Sequence, residues 1–543
     1  MNWKFWKGWF ENFGLGKILA AEDFDEPKQL KSSMLFLAVA RKYAGDFALI
    51  PENLDLDKHI EQFPLTNYKF RKRGTDIVYS KGGIKFDRDR LAYIIGLLSS
   101  IPASNKDSIT EDGFVPIYSK YIQRFFPDYK CYLDYLIRTG IVISDGFYIE
   151  GKKSIGYKFA PYYEKACLKR YAYHRNQKGK EELSLAVPAQ TYNKDTDRLE
   201  DNPLVGFPYL SFWYNNKKLT INSNAKEYAW QVKERKFAAG VSSWDDNHDK
   251  WDEKNKRYFK KYPRSQYNAA MHNISAIEMC AYNAKIDSNV HRLHSAITNM
   301  QKAYRNFLKY DGQELTAIDI SNSQPFLLCI LFNPDFWDKS SGAYINIGHL
   351  PENIQNRFSD ELLSEIKTYV ESMPEDSKSE YIIKASSGEV YEFMMDKANE
   401  QYPGCCKEKK DAKIMMLIAF FSANSFLNQD KEAAKMKRIF KATFPEIYGL
   451  IELAKTGIKQ KNRFACLLQS VESEIILHRC CKRIWDEGEH KVPVFTIHDS
   501  IATTSEYVEF VRSIMDEELT KAAGVHPNFK TEAWSESNLK TNS

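Results

Sequence analysis

The strongest constraint on the fold is a pair of aspartates, each placed where a strand-like pattern ends. Residues 314–319 alternate apolar and polar side chains and finish on Asp319, and residues 492–498 form a second strand pattern before Asp499. We predict that Asp499 and Ser500 make a two-residue turn, which projects Asp499 from the tip of a hairpin. Two strand-end carboxylates can meet on one sheet, although 180 residues separate them in the sequence.

A strand-end aspartate alone is usually only a turn residue, so the prediction depends on the pair. Two adjacent carboxylates can hold two Mg²⁺ ions about 4 Å apart, which activate an attacking hydroxyl and stabilise a leaving phosphate. We therefore expect Asp319 and Asp499 to bind two Mg²⁺ ions, with Mn²⁺ as a substitute. His498, Asp499 and Ser500 do not make a catalytic triad, because neighbours in an extended segment point to opposite faces.

Between the two aspartates the sequence predicts a helix that carries positive charge. It begins after the Pro403-Gly404 break and places Lys409, Lys413 and Phe421 at steps of four and eight residues, close to one face. Two ammonium groups one turn apart can hold a triphosphate, and the aromatic ring can stack on its base. The alternative is a solvated lysine face, which is common on helices.

In this order, the motifs resemble those of family A DNA polymerases and of the single-subunit RNA polymerases of bacteriophages and mitochondria. Asp319-Ile-Ser-Asn-Ser-Gln324 resembles motif A, and Lys409-x3-Lys413-x7-Phe421-Ser resembles motif B on the fingers helix. His-Asp499-Ser resembles motif C. The resemblance implies catalytic roles for Asp319, Asp499 and Lys413. It also implies a metal site that includes Ile320, and a nucleotide site of Lys409, Lys413, Phe421 and Gln324.

Weaker matches lie around these motifs. Arg292-Leu-His-Ser resembles a segment whose arginine contacts the minor groove of the primer-template, and residues 469–474 resemble a palm helix that starts with glutamine. Residues 444–447 resemble the segment after the fingers helix. The resemblance covers about residues 290–515 and implies that Arg292, Gln469 and His498 bind a DNA primer-template.

The departures from the family bear on the choice of sugar. The family's DNA polymerases have a glutamate beneath the incoming sugar, where this chain has Gln324, and the family's motif B tyrosine is Phe421. A bulky Gln324 and a ring without a hydroxyl both disfavour a ribose. Ser500, however, matches the RNA enzymes. We expect DNA synthesis, with an RNA polymerase or primase as the alternative.

The resemblance implies an α+β right-hand polymerase, with an antiparallel palm sheet and helical fingers and thumb, after an N-terminal mixed α/β region. The expected divisions are an N-terminal helical region, a winged helix, a thumb-like or connecting helical region, a palm part with motif A, fingers with motif B, and a palm part with motif C and the tail. These correspond to residues 1–105, 106–165, 166–290, 291–324, 325–455 and 456–543.

Two basic segments suit nucleic-acid binding. Residues 106–165 read as two helices followed by a β-ribbon with a basic turn, which resembles a winged helix, although a small packing unit with a solvated turn fits equally well. Residues 250–264 interleave basic and aromatic side chains, a composition typical of a nucleic-acid track or of a solvated helix face. The candidate track residues are Lys152, Lys153, Lys254, Lys256, Arg257, Lys260 and Lys261.

Composition sets the broad class. Hydrophobic residues make up 43% and charged residues 27%, as in globular proteins, while a net charge of +5 neither demands nor forbids nucleic acid. Nine scattered cysteines favour a reducing, cytoplasmic location, and no apolar run is long enough to cross a membrane. An aromatic face in residues 3–13 predicts a helix that docks on its own protein, with a protein partner or a membrane surface as alternatives. We expect a monomer.

One alternative belongs to another class of protein. The chain could be a replication or defence protein that binds nucleic acid through its N-terminal region and keeps an inactive palm. Retention of Asp319, Asp499 and Lys413 argues against that hypothesis, because an inactive site has no physical need for paired carboxylates.

Overall fold

In the computed structural model, an antiparallel sheet carries both aspartates. The described residues are 47–65, 69–72, 75–78, 87–119, 122–123, 128–149, 153–173, 190–193, 198–241, 251–252, 257–258, 260–429, 432–457 and 462–539. Helices and antiparallel strands are mixed among them, which confirms the α+β class. The predicted aromatic helix at residues 3–13 lies outside the described residues.

The central sheet has six described strands built around Gln313–Ile320, here called the Asp319 strand. Ser500–Thr504 pairs with one of its edges and Phe529–Trp534 with the other, both antiparallel. Leu308–Tyr310 continues from the start of the Asp319 strand, with Leu219–Ile221 beyond it, and Phe495–Ile497 pairs outside Ser500–Thr504. The side chains at Leu315, Ile318 and Ile320 are buried, because the sheet is covered by helices.

The hairpin differs from the sequence prediction by one residue. The structure has strands Phe495–Ile497 and Ser500–Thr504, so the turn is His498-Asp499 and not Asp499-Ser500. His498 has a φ of 55°, in the left-handed region, and Ile497 pairs with Ser500. Buried Ser500 belongs to the sheet, where its hydroxyl donates to the Ile497 carbonyl at 3.1 Å. Asp499 still lies at the tip.

Most of the chain between the two aspartates is helical. The helix Lys409–Phe421, here called the Lys413 helix, was predicted from the sequence and is present with those bounds. From residue 323 onward, the other described helices of 10 residues or more are Asp360–Ser372, Glu375–Ser387, Val390–Gln401, Glu432–Thr443, Pro445–Ala454, Arg463–Ser473 and Val508–Ala523. Arg463–Ser473 runs on through a π-helical segment, Glu474–Cys480, into Cys481–Glu487.

The region before residue 290 contains more strands than the sequence indicated. Its longer helices are Arg88–Ser104, Tyr129–Arg138, Pro208–Asn215, Asn224–Ala239 and Pro263–Glu278. Its paired strands are Phe47–Pro51 with Leu168–Ala172, Lys69–Lys72 with Thr75–Val78, Gln190–Asn193 with Arg198–Asp201, Trp251–Asp252 with Arg257–Tyr258, and Lys285–Ile286 with Leu293–His294. Leu219–Ile221 joins the central sheet, so residues 166–290 are not only a connecting helical region.

In residues 106–165 the helix Tyr129–Arg138 precedes a small sheet. Its strand order is Val115–Pro116, Gly156–Phe159 and Val142–Ser144, so a strand from before the helix pairs with the predicted ribbon. The helix ends before Gly140, whose φ of 74° favours glycine. The sequence predicted two helices before the ribbon: the second is Tyr129–Arg138, and most of the first lies outside the described residues. A nucleic-acid role for the unit stays a prediction.

Two buried lysines hold the C-terminal end of the Lys413 helix. Lys437 donates to the carbonyls of Ser422 and Ala423 at 3.3 and 2.7 Å. Lys455 donates to three carbonyls, those of Ala419, Phe420 and Ser422, at 3.3, 3.0 and 3.0 Å. These amino groups donate to carbonyls that a helix end leaves without partners, and in their charged form they interact favourably with the helix dipole. The C-terminal end of the Lys413 helix is therefore held in place by two buried lysines.

Among the described residues, no helix is both long and apolar enough to span a bilayer.

The Lys437 cap predicts a pH-dependent stability. Burial lowers the pKa of Lys437 from 10.5 to about 8, so between those pH values the unfolded chain binds more protons than the folded chain. The free energy of unfolding of the wild type, relative to Lys437→Met, should therefore rise with pH across this window, by at most about 1.4 kcal/mol per pH unit. Denaturant titrations at several pH values measure it.

Lys482→Met is the control, since Lys482 is exposed, lies on another helix, and pairs with Asp486 at 2.7 Å. It should leave the pH slope of the wild type unchanged. Parallel curves for wild type and Lys437→Met would contradict a buried lysine with a lowered pKa.

Candidate active site

Sheet register brings the two aspartates together. Asp319 lies directly opposite Ser500, the residue that follows Asp499. Asp499 is half-buried at the hairpin tip, and Asp319 is half-buried one residue before the end of its strand. The pairing that the sequence suggested for two distant carboxylates is therefore present in the fold, while their catalytic role stays a prediction.

The two carboxylates repel each other in a partly desolvated setting. Burial, followed by the charge of Asp499, raises the pKa of Asp319 to about 7, against opposing effects from Lys413, Lys530 and Lys302. At neutral pH the nearby lysines therefore do not supply enough positive charge to keep Asp319 fully ionised. The site is thus suited to a cation.

Both aspartates line a cavity of about 540 Å³, which lies between the sheet and the Lys413 helix. Most of the predicted nucleotide and metal residues face this same space. The lining consists of Asp319, Ile320, Ser321, Asn322, Ser323, Gln324, Tyr391, Glu408, Lys409, Lys410, Lys413, Leu417, Asp499 and Lys530.

The Lys413 helix contributes three lysines to the cavity wall. Lys413 is exposed, and its charge acts on Asp319 across the cavity. Lys409 forms an ion pair with Glu392 of a neighbouring helix, so part of its charge is already matched. Lys410 also lines the cavity and was not singled out from the sequence.

Phe421 does not line the cavity, in contrast to the sequence expectation. It packs against the core beside Phe420, with ring centroids 6.0 Å apart. A step of four residues overshoots one helical turn by about 40°, so Phe421 lies about 120° around the helix from Lys409. Leu417 is the apolar residue of this helix that faces the cavity instead.

Two further cavity residues come from segments without a recognisable motif. Lys530 lies in the strand Phe529–Trp534, directly opposite Asp319, so the two side chains share one face of the sheet. Tyr391 is buried, and burial followed by the charge of Asp499 raises the pKa of its hydroxyl. Neither position could be predicted, because strand register and the packing of a distant helix are not written in local sequence.

Beside the cavity, a buried carboxylate joins two of the predicted residues. Glu472 in the helix Arg463–Ser473 accepts from Nε and Nη2 of Arg292 at 2.9 and 2.6 Å through Oε1. Its Oε2 accepts from the amide of Gln324 at 2.8 Å. Burial raises the pKa of Glu472 to about 7, although Arg292 acts in the opposite direction. Glu472 was not predicted from the sequence, although it is the one acidic residue of this helix, which is a signal that could have found it.

The remaining primer-template candidates lie nearby but differ in exposure. Gln469 is only 5% exposed, one turn before Glu472. His498 is exposed at the hairpin tip, and partial desolvation, followed by the charges of Arg292 and His294, lowers its pKa to about 3. His498 is therefore neutral at physiological pH.

The basic segments are only partly within the described residues. Lys153 lies 2.9 Å from Asp145 and is close to the ring of Phe147, whereas Lys260 and Lys261 are half-buried. Arg264, from the same basic stretch, is 2% exposed and donates to the Ala166 carbonyl, so it is a core residue. Lys152, Lys254 and Lys256 lie outside the described residues, as does the side chain of Arg257.

The residues at the cavity fit Mg²⁺. Mg²⁺ takes oxygen ligands and is commonly held by one or two carboxylates, with water and substrate phosphates completing the shell. Asp319 and Asp499 provide such a pair, next to Ile320. In the described part of the chain, no group of three or more His, Cys, Asp or Glu is placed to hold a metal ion.

The carboxylate pair predicts opposite effects of one substitution with and without metal. In EDTA, Asp499→Asn should raise the stability by an amount on the order of 1 kcal/mol, because it removes the repulsion that acts on Asp319. Saturating Mg²⁺ should stabilise the wild type but not the variant. Thermal melts with and without Mg²⁺ measure both effects.

Asp311→Asn is the control, because Asp311 lies just before the other end of the Asp319 strand, where it pairs with Lys218 at 2.8 Å. It should respond to Mg²⁺ as the wild type does. Equal responses of Asp499→Asn and wild type to Mg²⁺ would contradict a metal site at this pair.

Comparison with known proteins finds similarity in structure but not in sequence. No protein-family profile and no curated protein sequence matches the chain. Among solved structures, the chain is similar to the POL domain of Pol1 from M. smegmatis, determined in complex with DNA primer-template and dNTP. The TM-score is 0.37 and the sequence identity 10%, over 60% of this chain and 69% of that chain. A likeness this low carries no argument about function, which must be inferred from the geometry of the cavity.

Proposed function

We propose that the chain is a template-directed nucleotidyltransferase, which extends a nucleic-acid 3′ end from nucleoside triphosphates. The observation that carries the proposal is the cavity in which Asp319 and Asp499 face the lysines of the Lys413 helix. Carboxylates on one wall and ammonium groups on the other complement a metal-bound triphosphate, which is anionic and carries cations on one side.

In this proposal each wall has its own task. Asp319 and Asp499 hold two Mg²⁺ ions, which activate the attacking hydroxyl and neutralise the charge that develops on the leaving group. Lys413 binds the triphosphate directly, because it is exposed to the cavity, and Lys410 and Lys530 add positive charge. Lys409 takes part through whatever charge its pair with Glu392 leaves available.

The primer-template would lie beside the cavity, along Arg292 and His498. Neutral His498 at the hairpin tip can donate or accept a hydrogen bond there. The central sheet with residues 291–324 and 456–543 would serve as the palm, and residues 325–455 as the fingers. A winged helix at residues 106–165 and the basic track belong to the same proposal as nucleic-acid contacts away from the chemistry.

For the product, we favour DNA, with Gln324 as the main determinant. Gln324 lines the cavity and is tethered to Glu472, so it occupies space that a 2′-hydroxyl would need. Phe421 has no direct part in this choice, since it packs away from the cavity. RNA synthesis is the second candidate, and one observation favours it: Oε1 of Gln324 has no hydrogen-bond donor among the described residues, so it is free to accept one from a ribose.

The proposal predicts that both aspartates are essential for nucleotide addition. Asp319→Asn and Asp499→Asn should each lower primer extension by at least about a thousandfold while the protein stays folded, because the metal pair is no longer held. Extension of a labelled primer-template with Mg²⁺, and with dNTPs or NTPs in separate reactions, measures both the activity and the preferred sugar. Near-wild-type extension by either variant would remove the assignment.

The cationic wall predicts a separate effect on the nucleotide. Lys413→Ala should raise KM for the triphosphate and lower kcat, while primer-template affinity changes little, because Lys413 contacts the nucleotide. Lys397→Ala removes an exposed lysine paired with Glu400 at 2.9 Å on a neighbouring helix, and should leave both constants unchanged. Loss of primer-template affinity in Lys413→Ala, with normal nucleotide kinetics, would contradict the placement of this helix.

A further inference from the structure

Glu472 occupies an unusual position for a carboxylate. Its side chain is 2% exposed, and both oxygens are used, Oε1 by Arg292 and Oε2 by Gln324. A buried ion pair is costly to assemble and is weak evidence for stability. We therefore consider how the carboxylate orients Arg292 and Gln324, the two side chains that donate to it.

The contact with Glu472 determines which way the amide of Gln324 points. Above its pKa of about 7, Glu472 is ionised and can only accept hydrogen bonds, so the NH₂ group of Gln324 faces it, at 2.8 Å. The other end of the amide, Oε1, is then left as an acceptor. Within the described residues this Oε1 is buried and has no donor, which is unfavourable unless a ligand supplies one.

We propose that Glu472 is a positioning residue that fixes the amide of Gln324, so that Oε1 accepts a hydrogen bond from a hydroxyl of the incoming nucleotide's sugar. Glu472 touches no substrate and acts through Gln324. The inference rests on the proposed function, because it takes a nucleoside triphosphate as the occupant of the cavity. The donor is a 2′- or a 3′-hydroxyl, which the experiment distinguishes.

Replacement of Glu472 by glutamine gives a specific test of this arrangement. Glu472→Gln keeps the shape but has one acceptor and one donor where the carboxylate has two acceptors. If its oxygen stays with Arg292, its NH₂ group faces Gln324, whose amide must then turn over. The amide of Gln324 would present a donor to the sugar in place of an acceptor.

The readout is nucleotide affinity, measured by calorimetry on the complex with a primer that ends in a dideoxynucleotide and cannot be extended. Binding of dNTP is compared with ddNTP to isolate the 3′-hydroxyl, and with NTP to isolate the 2′-hydroxyl. In wild type, loss of the hydroxyl that donates to Oε1 should weaken binding by roughly threefold to tenfold, as expected for one hydrogen bond. In Glu472→Gln that difference should disappear or reverse.

Glu474→Gln is the matched control, since Glu474 lies two residues away and pairs with Arg479 at 3.2 Å. It should keep the wild-type hydroxyl dependence, whereas a general loss of helix packing would affect both variants. If Glu472→Gln does not fold, Gln324→Met tests the same claim by removing the acceptor, and should also abolish the difference.

Two results would overturn the inference: no dependence on any sugar hydroxyl in the wild type, or the same dependence in wild type and Glu472→Gln. Failure of the proposed function is a different result. A wild-type protein that binds triphosphates with the predicted hydroxyl dependence, yet never extends an ordinary primer, would reject polymerisation and leave the role of Glu472 standing.

Discussion

The antiparallel pairing of the Asp319 strand with Ser500–Thr504 is the interaction on which the rest of the site depends. It places two carboxylates side by side in a partly buried setting, and their repulsion must be offset. Lys530 lies opposite Asp319 on the other edge, and Lys413 faces it across the cavity. In the proposed function, divalent cations bound between the two carboxylates would offset this repulsion.

Around this pair, positive charge comes from two sides. The Lys413 helix contributes three lysines and the sheet contributes Lys530, and the C-terminal end of the helix is held by Lys437 and Lys455. These contacts hold the C-terminal end of the helix whose N-terminal part lines the cavity. Glu472 adds a second layer, because it orients Gln324 and Arg292 without reaching the cavity itself.

The sequence was informative where a local pattern decides the structure. Alternation marked the Asp319 strand and the hairpin, and helical spacing marked Lys409–Phe421. The sequence predictions were wrong where a small error in angle or register adds up over several residues. The turn is at His498-Asp499, one residue earlier than predicted, and the rotation of the helix places Phe421 on a different face from Lys409. The sequence did not predict contacts between distant segments, because no local pattern gives the partner of a residue. Examples are Lys530, Tyr391, Glu472 and the sheet strand Leu219–Ile221.

The proposed chemistry depends above all on Asp319 and Asp499 together holding divalent ions in the nucleotide cavity. Anomalous diffraction from crystals grown with Mn²⁺ and a non-hydrolysable nucleoside triphosphate tests this directly. We expect two anomalous peaks about 4 Å apart, both within bonding distance of these carboxylates, with the triphosphate between them and Lys413. Absence of Mn²⁺ from the pair, with the triphosphate bound elsewhere, would contradict the assignment.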